Sequence, residues 1–276
     1  MVGKNKNIVS YVVLGLWSLI ILGIFFWVLM SSFKTNLEIY TSPWTLPETP
    51  TFENFVSAWD TMKMKDYFLN SVVVVFSAIA LCLVISTTTS HALTRYEFFG
   101  RKPLTSLLIA TMSVPLQMLI IPLYDHLLAL DLVNTRFGLI LVYAALWYPF
   151  SLFVLTGFFK TVPKELEESA LIDGCGEYRI FFNIMIPMVQ PGIICIAVFN
   201  FVAMWNEYLL ALVFASKNTL RTIALGMYAL KDSMMYTSNW GGLFAAIVIM
   251  MIPSIIIFVT LQKYVIQGLT LGAVKG

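Results

Sequence analysis

The sequence predicts an all-α membrane protein: six transmembrane helices with a cytoplasmic helix–glycine–helix loop. Three observations predict it. The 276 residues are 59% hydrophobic and only 12% charged, with a mean hydropathy of +0.84. Soluble domains carry roughly 25% charged residues, so a monomeric soluble protein of this size could not cover its apolar surface, and disorder is excluded as well. Six apolar stretches, near 9–31, 68–92, 104–124, 138–159, 190–213 and 242–266, are each about as long as the ~20 residues that cross a bilayer core as helix. Between the fourth and fifth, residues 160–189 read as two short helices around a glycine.

In the first stretch, Lys4 and Lys6 precede the apolar run as in a signal peptide. The run from Ile8 to Met30 is too long for that, and Ser31-Ser32-Phe33-Lys34 offers no cleavage site, so a retained helix is expected. A loop over 32–67 follows, with Pro43, Trp44, Pro47 and Pro50, ending in a charged piece with helical character. Thr87-Thr88-Thr89-Ser90 in the second span suits helix–helix contact. Pro115, Pro122, Pro149 and Pro253 are expected to interrupt spans and free backbone groups, which membranes tolerate only against protein or water. Residues 214–241 read as a second long loop, rich in Ser, Asn and Tyr. Six spans put both termini on one side. Lys4, Lys6, Arg95, Arg101, Lys102, Lys160, Lys164, Arg179, Lys263 and Lys275 fall there in short segments, which makes it the cytoplasm. The chain divides into 1–67, a helix plus its loop, and a core over 68–276.

The 160–189 segment carries the sharpest signal. Thr161 can cap a helix, Pro163 fits its first turn, and Glu165, Glu167 and Glu168 favour the positive end of its dipole. Gly174 stops it, and a second helix is expected from Glu177 until Pro187 disturbs it. Leu166, Ala170 and Asp173 share one face by three-and-four spacing. Such a helix could lie on the membrane surface or act as a rigid knob docking into another protein. Surface helices are usually basic on their polar face and this one is led by acids, which favours the knob.

Glu168-Ser169-Ala170-Leu171-Ile172-Asp173-Gly174, followed by Pro187 and Pro191, resembles the EAA loop of the membrane subunits of bacterial ABC importers. Val162-Pro163-Lys164-Glu165-Leu166 and Ile186-Pro187-Met188 resemble its flanks. Asn70-Ser71, Ala92-Leu93-Thr94-Arg95-Tyr96, Trp205-Asn206-Glu207-Tyr208 and the run from Gln262-Lys263-Tyr264 to Gly276 narrow the resemblance to the carbohydrate-uptake, MalG-like branch, over roughly 68–276. Ser169 and Cys175 stand where that branch commonly has Ala; both are small, so the docking shape is expected to survive. The resemblance implies a permease subunit in a bacterial inner membrane, paired with a second, homologous permease subunit. It further implies two ATP-binding subunits that hold ATP and Mg, and an extracytoplasmic sugar-binding protein. Glu165, Glu168, Ala170, Asp173 and Gly174 would then form a coupling helix seated in the ATPase. The tail Val274, Lys275 and Gly276 would reach toward the ATPase interface or simply fray; both readings stand.

The chain itself shows no phosphate-binding G-x-x-x-x-G-K-[ST] loop and no serine-nucleophile motif. His91 and His126 lie apart from any metal-spaced cluster, and Cys82, Cys175 and Cys195 have neither disulfide nor zinc spacing. A net charge of +2 without a dense basic stripe argues against nucleic acid. No catalysis and no cofactor are therefore expected on this chain, and energy must come from a partner or an ion gradient. An ion-driven transporter of a small polar solute is the alternative, but it would need paired intramembrane charges, and the spans offer mainly Glu207. That carboxylate, facing lipid unpaired, would cost about 1–3 kcal/mol, so it should face the interior, a wet cavity or a partner's cation. The other reading leaves Trp205 and Tyr208 in an aromatic belt with Glu207 reaching water. Asn70, Ser113, Gln117, Asn200, Asn206 and Glu207 are candidates to line a sugar pathway.

Overall fold

The computed structural model describes residues 2–273, with side chains described over 8–266 except 9 and 234–237. Among the described residues all regular structure is helical. In chain order the helices are α1 (Val2–Ser31), α2 (Asn36–Thr41), α3 (Glu53–Val56), α4 (Met64–Arg95), α5 (Arg101–Ala110), α6 (Leu116–Ala129) and α7 (Arg136–Thr161). They continue with α8 (Glu165–Ile172), α9 (Glu177–Ile180), α10 (Ile186–Trp205), α11 (Leu209–Phe214), α12 (Ile223–Thr237) and α13 (Trp240–Ala273). Among the described residues, five helical stretches are long and apolar enough to cross a membrane: Ser10–Ser31, Met64–Arg95, Arg136–Thr161, Glu177–Trp205 and Trp240–Ile266.

The sixth expected span differs in form. In place of one helix over 104–124, α5 and α6 meet at a bend of 107°. A 3-10 turn at Thr111–Ser113 ends α5, and Val114 is extended (φ −81°, ψ 120°). Pro115 is the cause: its ring drives the preceding residue out of helical space, and it has no N–H to continue the ladder. Pro122, Pro149 and Pro253, expected to interrupt, instead lie inside continuous helices. The 214–241 segment also corrects the expectation of a loop, since α12 occupies most of it.

Pro187 does not end the second helix of the 160–189 segment. A π-turn at Phe181–Met185 leads directly into α10, with Pro187 in its first turn. The missing N–H there falls where the hydrogen-bond ladder is already changing its step. The wide turn also sets the packing. Five residues of α-helix would leave Ile180 and Met185 about 140° apart, yet both are buried in one cluster with Val189.

The chain forms two compact units, 1–65 with 226–252 and 66–225 with 253–276. The first thus takes in a segment that the sequence division at 67/68 gave to the core. Within it, the fully buried Lys34 donates from Nζ to the Ser42 carbonyl (2.7 Å), and Asn54 Nδ2 donates to the Ser32 and Lys34 carbonyls. In the second unit α4, α7 and α10 build the core from Val74, Val75, Ala78, Leu139, Leu155, Ile196 and Phe201. The Trp205 ring stacks on Phe201, with centroids 5.2 Å apart, and is fully buried.

Candidate functional site

The α8–α9 hairpin ends in a tight Schellman turn. The Cys175 N–H donates to the Ala170 carbonyl (2.9 Å), and the Gly174 N–H to that of Leu171 (3.0 Å). Gly174 has φ +80°, the left-handed conformation that only glycine adopts without strain. Thr161 is not the cap; its hydroxyl donates to the Phe158 carbonyl in the last turn of α7, and Lys164 takes the N-cap position without a side-chain bond. Glu165, Glu167 and Glu168 do occupy the first turn. Ala170 points inward and is buried with Phe158, Phe159, Val162, Ile180, Met185 and Val189, so it seats the hairpin. Glu165, Glu168, Asp173 and Gly174 are exposed. So are two large apolar side chains at the tip, Ile172 (86% exposed) and Tyr178 (85%). A rigid element that presents apolar side chains beside acids has the form of a docking knob.

The hairpin is tied to the end of α4. Arg95 Nε lies 2.5 Å from Glu167 Oε1, and its Nη2 donates to the carbonyl of Val162, the C-cap of α7, at 2.7 Å. The Tyr96 hydroxyl donates to Glu177 Oε2. This bond, with burial adding to it, pushes the Tyr96 hydroxyl up to about 12. Burial raises the Glu167 carboxyl above its usual range, opposed by Arg95. The His91 ring sits 4.9 Å from Phe181 and 5.7 Å from Tyr96, and His91, Arg95, Tyr96, Glu167 and Glu177 line a cleft of about 250 Å³.

The pathway candidates separate. Asn70 is buried, with Nδ2 donating to the Thr219 and Arg221 carbonyls and Oδ1 accepting from Arg136 Nε and Nη2. Its hydrogen-bonding capacity is spent inside the fold. Asn200 is buried too, its Nδ2 donating to Ser151 Oγ at 2.9 Å, and it stands at the wall of a cavity of about 760 Å³ lined by Met112, Pro115, Trp147, Phe150 and Phe199. Gln117 and Asn206 are exposed, and Asn206 Nδ2 donates to the Val202 carbonyl.

Glu207 is not inside a continuous span, as 190–213 would require. The helix stops at Trp205, and the carboxylate accepts from the N–H groups of Leu210 (2.9 Å) and Ala211 (3.2 Å) at the start of α11. It also accepts from the hydroxyl of the buried Tyr143 at 3.1 Å. It caps a broken helix while facing the protein.

Sequence reasoning missed Arg95, Glu167 and Tyr143 as partners. Arg95 was visible as a cation closing a long apolar span, but its partner is 72 residues away and no local spacing reveals it. Among the described residues no group of three His, Cys, Asp or Glu side chains could hold a metal.

Long apolar helices, one broken span and a tied, exposed hairpin define a multi-span membrane protein. The chain belongs to the family described as binding-protein-dependent transport system inner membrane component, whose pattern matches residues 84–271. It is therefore a non-catalytic transmembrane component of an ABC transport system. It is 39% identical to the diacetylchitobiose uptake system permease protein NgcG of Streptomyces coelicolor, over 97% of this chain and 88% of that one. It is 32% identical to the melibiose/raffinose/stachyose import permease protein MelC of Bacillus subtilis, over 91% of each. A crystal structure of a bacterial ABC transporter that imports alginate shares the fold, with a TM-score of 0.81 at 21% identity, over 95% of this chain and 96% of that one.

Proposed function

We propose that this chain is one of two different permease subunits of an importer that carries an oligosaccharide across the bacterial cytoplasmic membrane. The transport core runs over 68–276, both termini are cytoplasmic, and ATP and Mg are held by two separate ATP-binding subunits. A sugar-binding protein delivers substrate on the opposite face. Two of its relatives are permeases for diacetylchitobiose and for melibiose, raffinose and stachyose, and the family is one of binding-protein-dependent transport systems. Lys and Arg density supports the orientation.

The observation that carries the reading is the hairpin: fixed in its seat by Ala170 and the Schellman turn, it leaves Glu165, Glu168, Asp173, Ile172 and Tyr178 free. An ATPase cleft that closes on such a tip moves the spans behind it. Gln117, Asn200, Asn206 and Glu207 remain the proposed pathway contacts, through amide and carboxylate groups suited to sugar hydroxyls.

Gly174→Asp tests the assignment. A side chain at φ +80° meets open space but strains the backbone, by about 1–2 kcal/mol, and adds a charge at the tip. The variant is expected to reach the membrane and assemble, while ATP hydrolysis no longer drives uptake. Full uptake by Gly174→Asp overturns the coupling role.

A further inference from the structure

The hairpin could be a flexible tab that a partner pulls without moving the spans, and the contacts at the end of α4 decide against this. Two consecutive residues there grip both limbs of the hairpin. Arg95 holds Glu167 in α8, and Tyr96 holds Glu177, the first residue of α9. Arg95 binds the C-cap of α7 through Nη2, so one guanidinium joins the ends of three helices. The pair is largely withdrawn from water, with side-chain exposures of 8% for Arg95 and 17% for Glu167. The His91 ring, one turn back on α4, fills the space between Tyr96, Phe159 and Phe181. A shielded guanidinium–carboxylate pair resists separation far more than an exposed one, because parting it leaves a buried charge uncompensated.

We propose that Arg95 and Tyr96 are positioning residues that clamp the α8–α9 hairpin to α4, so that any displacement of the knob is delivered to α4 as a rigid-body movement. This rests on the reading of the hairpin as the coupling element. It assigns a role to the Ala92-Leu93-Thr94-Arg95-Tyr96 motif, which that reading alone leaves without one. Tyr96 and Glu167 do not touch the tip that meets the ATPase; they act through the hairpin they hold.

The test uses the assembled complex in lipid nanodiscs, with ATP plus vanadate as the probe. Spin labels are placed at Val84→Cys on the exposed side of α4 and at Ile172→Cys on the tip, with Cys175→Ser; Cys82 and Cys195 are buried. With the clamp intact, the 84–172 distance is expected to stay a single narrow population that the trapped state leaves in place. With Tyr96→Phe and Glu167→Gln together, which remove one hydroxyl and one charge at nearly constant volume, a second population is expected on trapping. ATP turnover should persist in this variant. Restoring either residue alone should return most of the single population. A purely structural role would lower the melting temperature without splitting the distance, and that outcome overturns the clamp, as does a distance that changes on trapping in the unaltered protein. If the label at 172 stays water-accessible and unaffected by assembly with the ATPase, the coupling reading itself fails.

Discussion

Replacing Glu207 by Ala removes the acceptor for two N–H groups of α11 and leaves the Tyr143 hydroxyl only its longer bond, 3.4 Å, to the backbone carbonyl of residue 207. Loss of a helix cap costs about 1 kcal/mol, and the lost hydroxyl–carboxylate bond costs about 1 kcal/mol more. The expected destabilisation is therefore about 2 kcal/mol, or roughly 6 °C in melting temperature at about 3 °C per kcal/mol for a chain of this size. Glu207→Gln keeps one acceptor oxygen and should lose about 1 kcal/mol. Thermal unfolding of the purified complex in detergent measures both. A third variant isolates the cause: Tyr143→Phe in the Glu207→Ala background should cost less than Tyr143→Phe alone, because the hydroxyl–carboxylate bond is already gone, the signature of a coupled pair. A Glu207→Ala protein that melts like the original yet fails to transport would refute the capping argument and make the carboxylate a pathway group only.

Two further substitutions probe the seat and the opposite end of the core. A Cβ at Gly192 would stand 2.5 Å from Cγ of Phe158, so Gly192→Ala should destabilise by about 1–3 kcal/mol through overpacking, with Phe158→Leu restoring most of it in the same melting assay. Asn70→Ala strands the Arg136 guanidinium and two carbonyls; a loss of about 2–4 kcal/mol is expected, together with faster proteolysis at 217–222, and unchanged protection there would contradict the strut role.

The fold class and most helices were legible because bilayer thickness imposes a length that apolar runs report directly. Gly174 was legible for a local reason, a helix end that needs a left-handed residue. The three glutamates at the start of α8 were equally plain from dipole logic. Pro115 was read correctly as an interruption but not as a 107° bend, because how far a freed end turns depends on what it packs against. Pro149 and Pro253 carry the same chemistry and leave their helices continuous. Asn70 and Glu207 drew attention as polar groups among apolar ones, and both proved to be bonded to distant elements. Sequence shows that such a side chain needs a partner but not whether the partner is backbone, a neighbouring side chain or a solute. Arg95 and Glu167 meet only through tertiary folding, so neither spacing nor propensity could join them.

Because Ile180 and Met185 share one seat five residues apart, the chain stores one residue more than an unbroken helix would need between knob and span. A homologue shorter by one position inside Phe181–Met185 could tighten that turn and keep both flanks in phase. The same deletion between Val189 and Phe201 would swivel everything on one side by about 100° and carry lipid-facing residues into the interior. Tolerance of length change in this helix is thereby confined to a single turn.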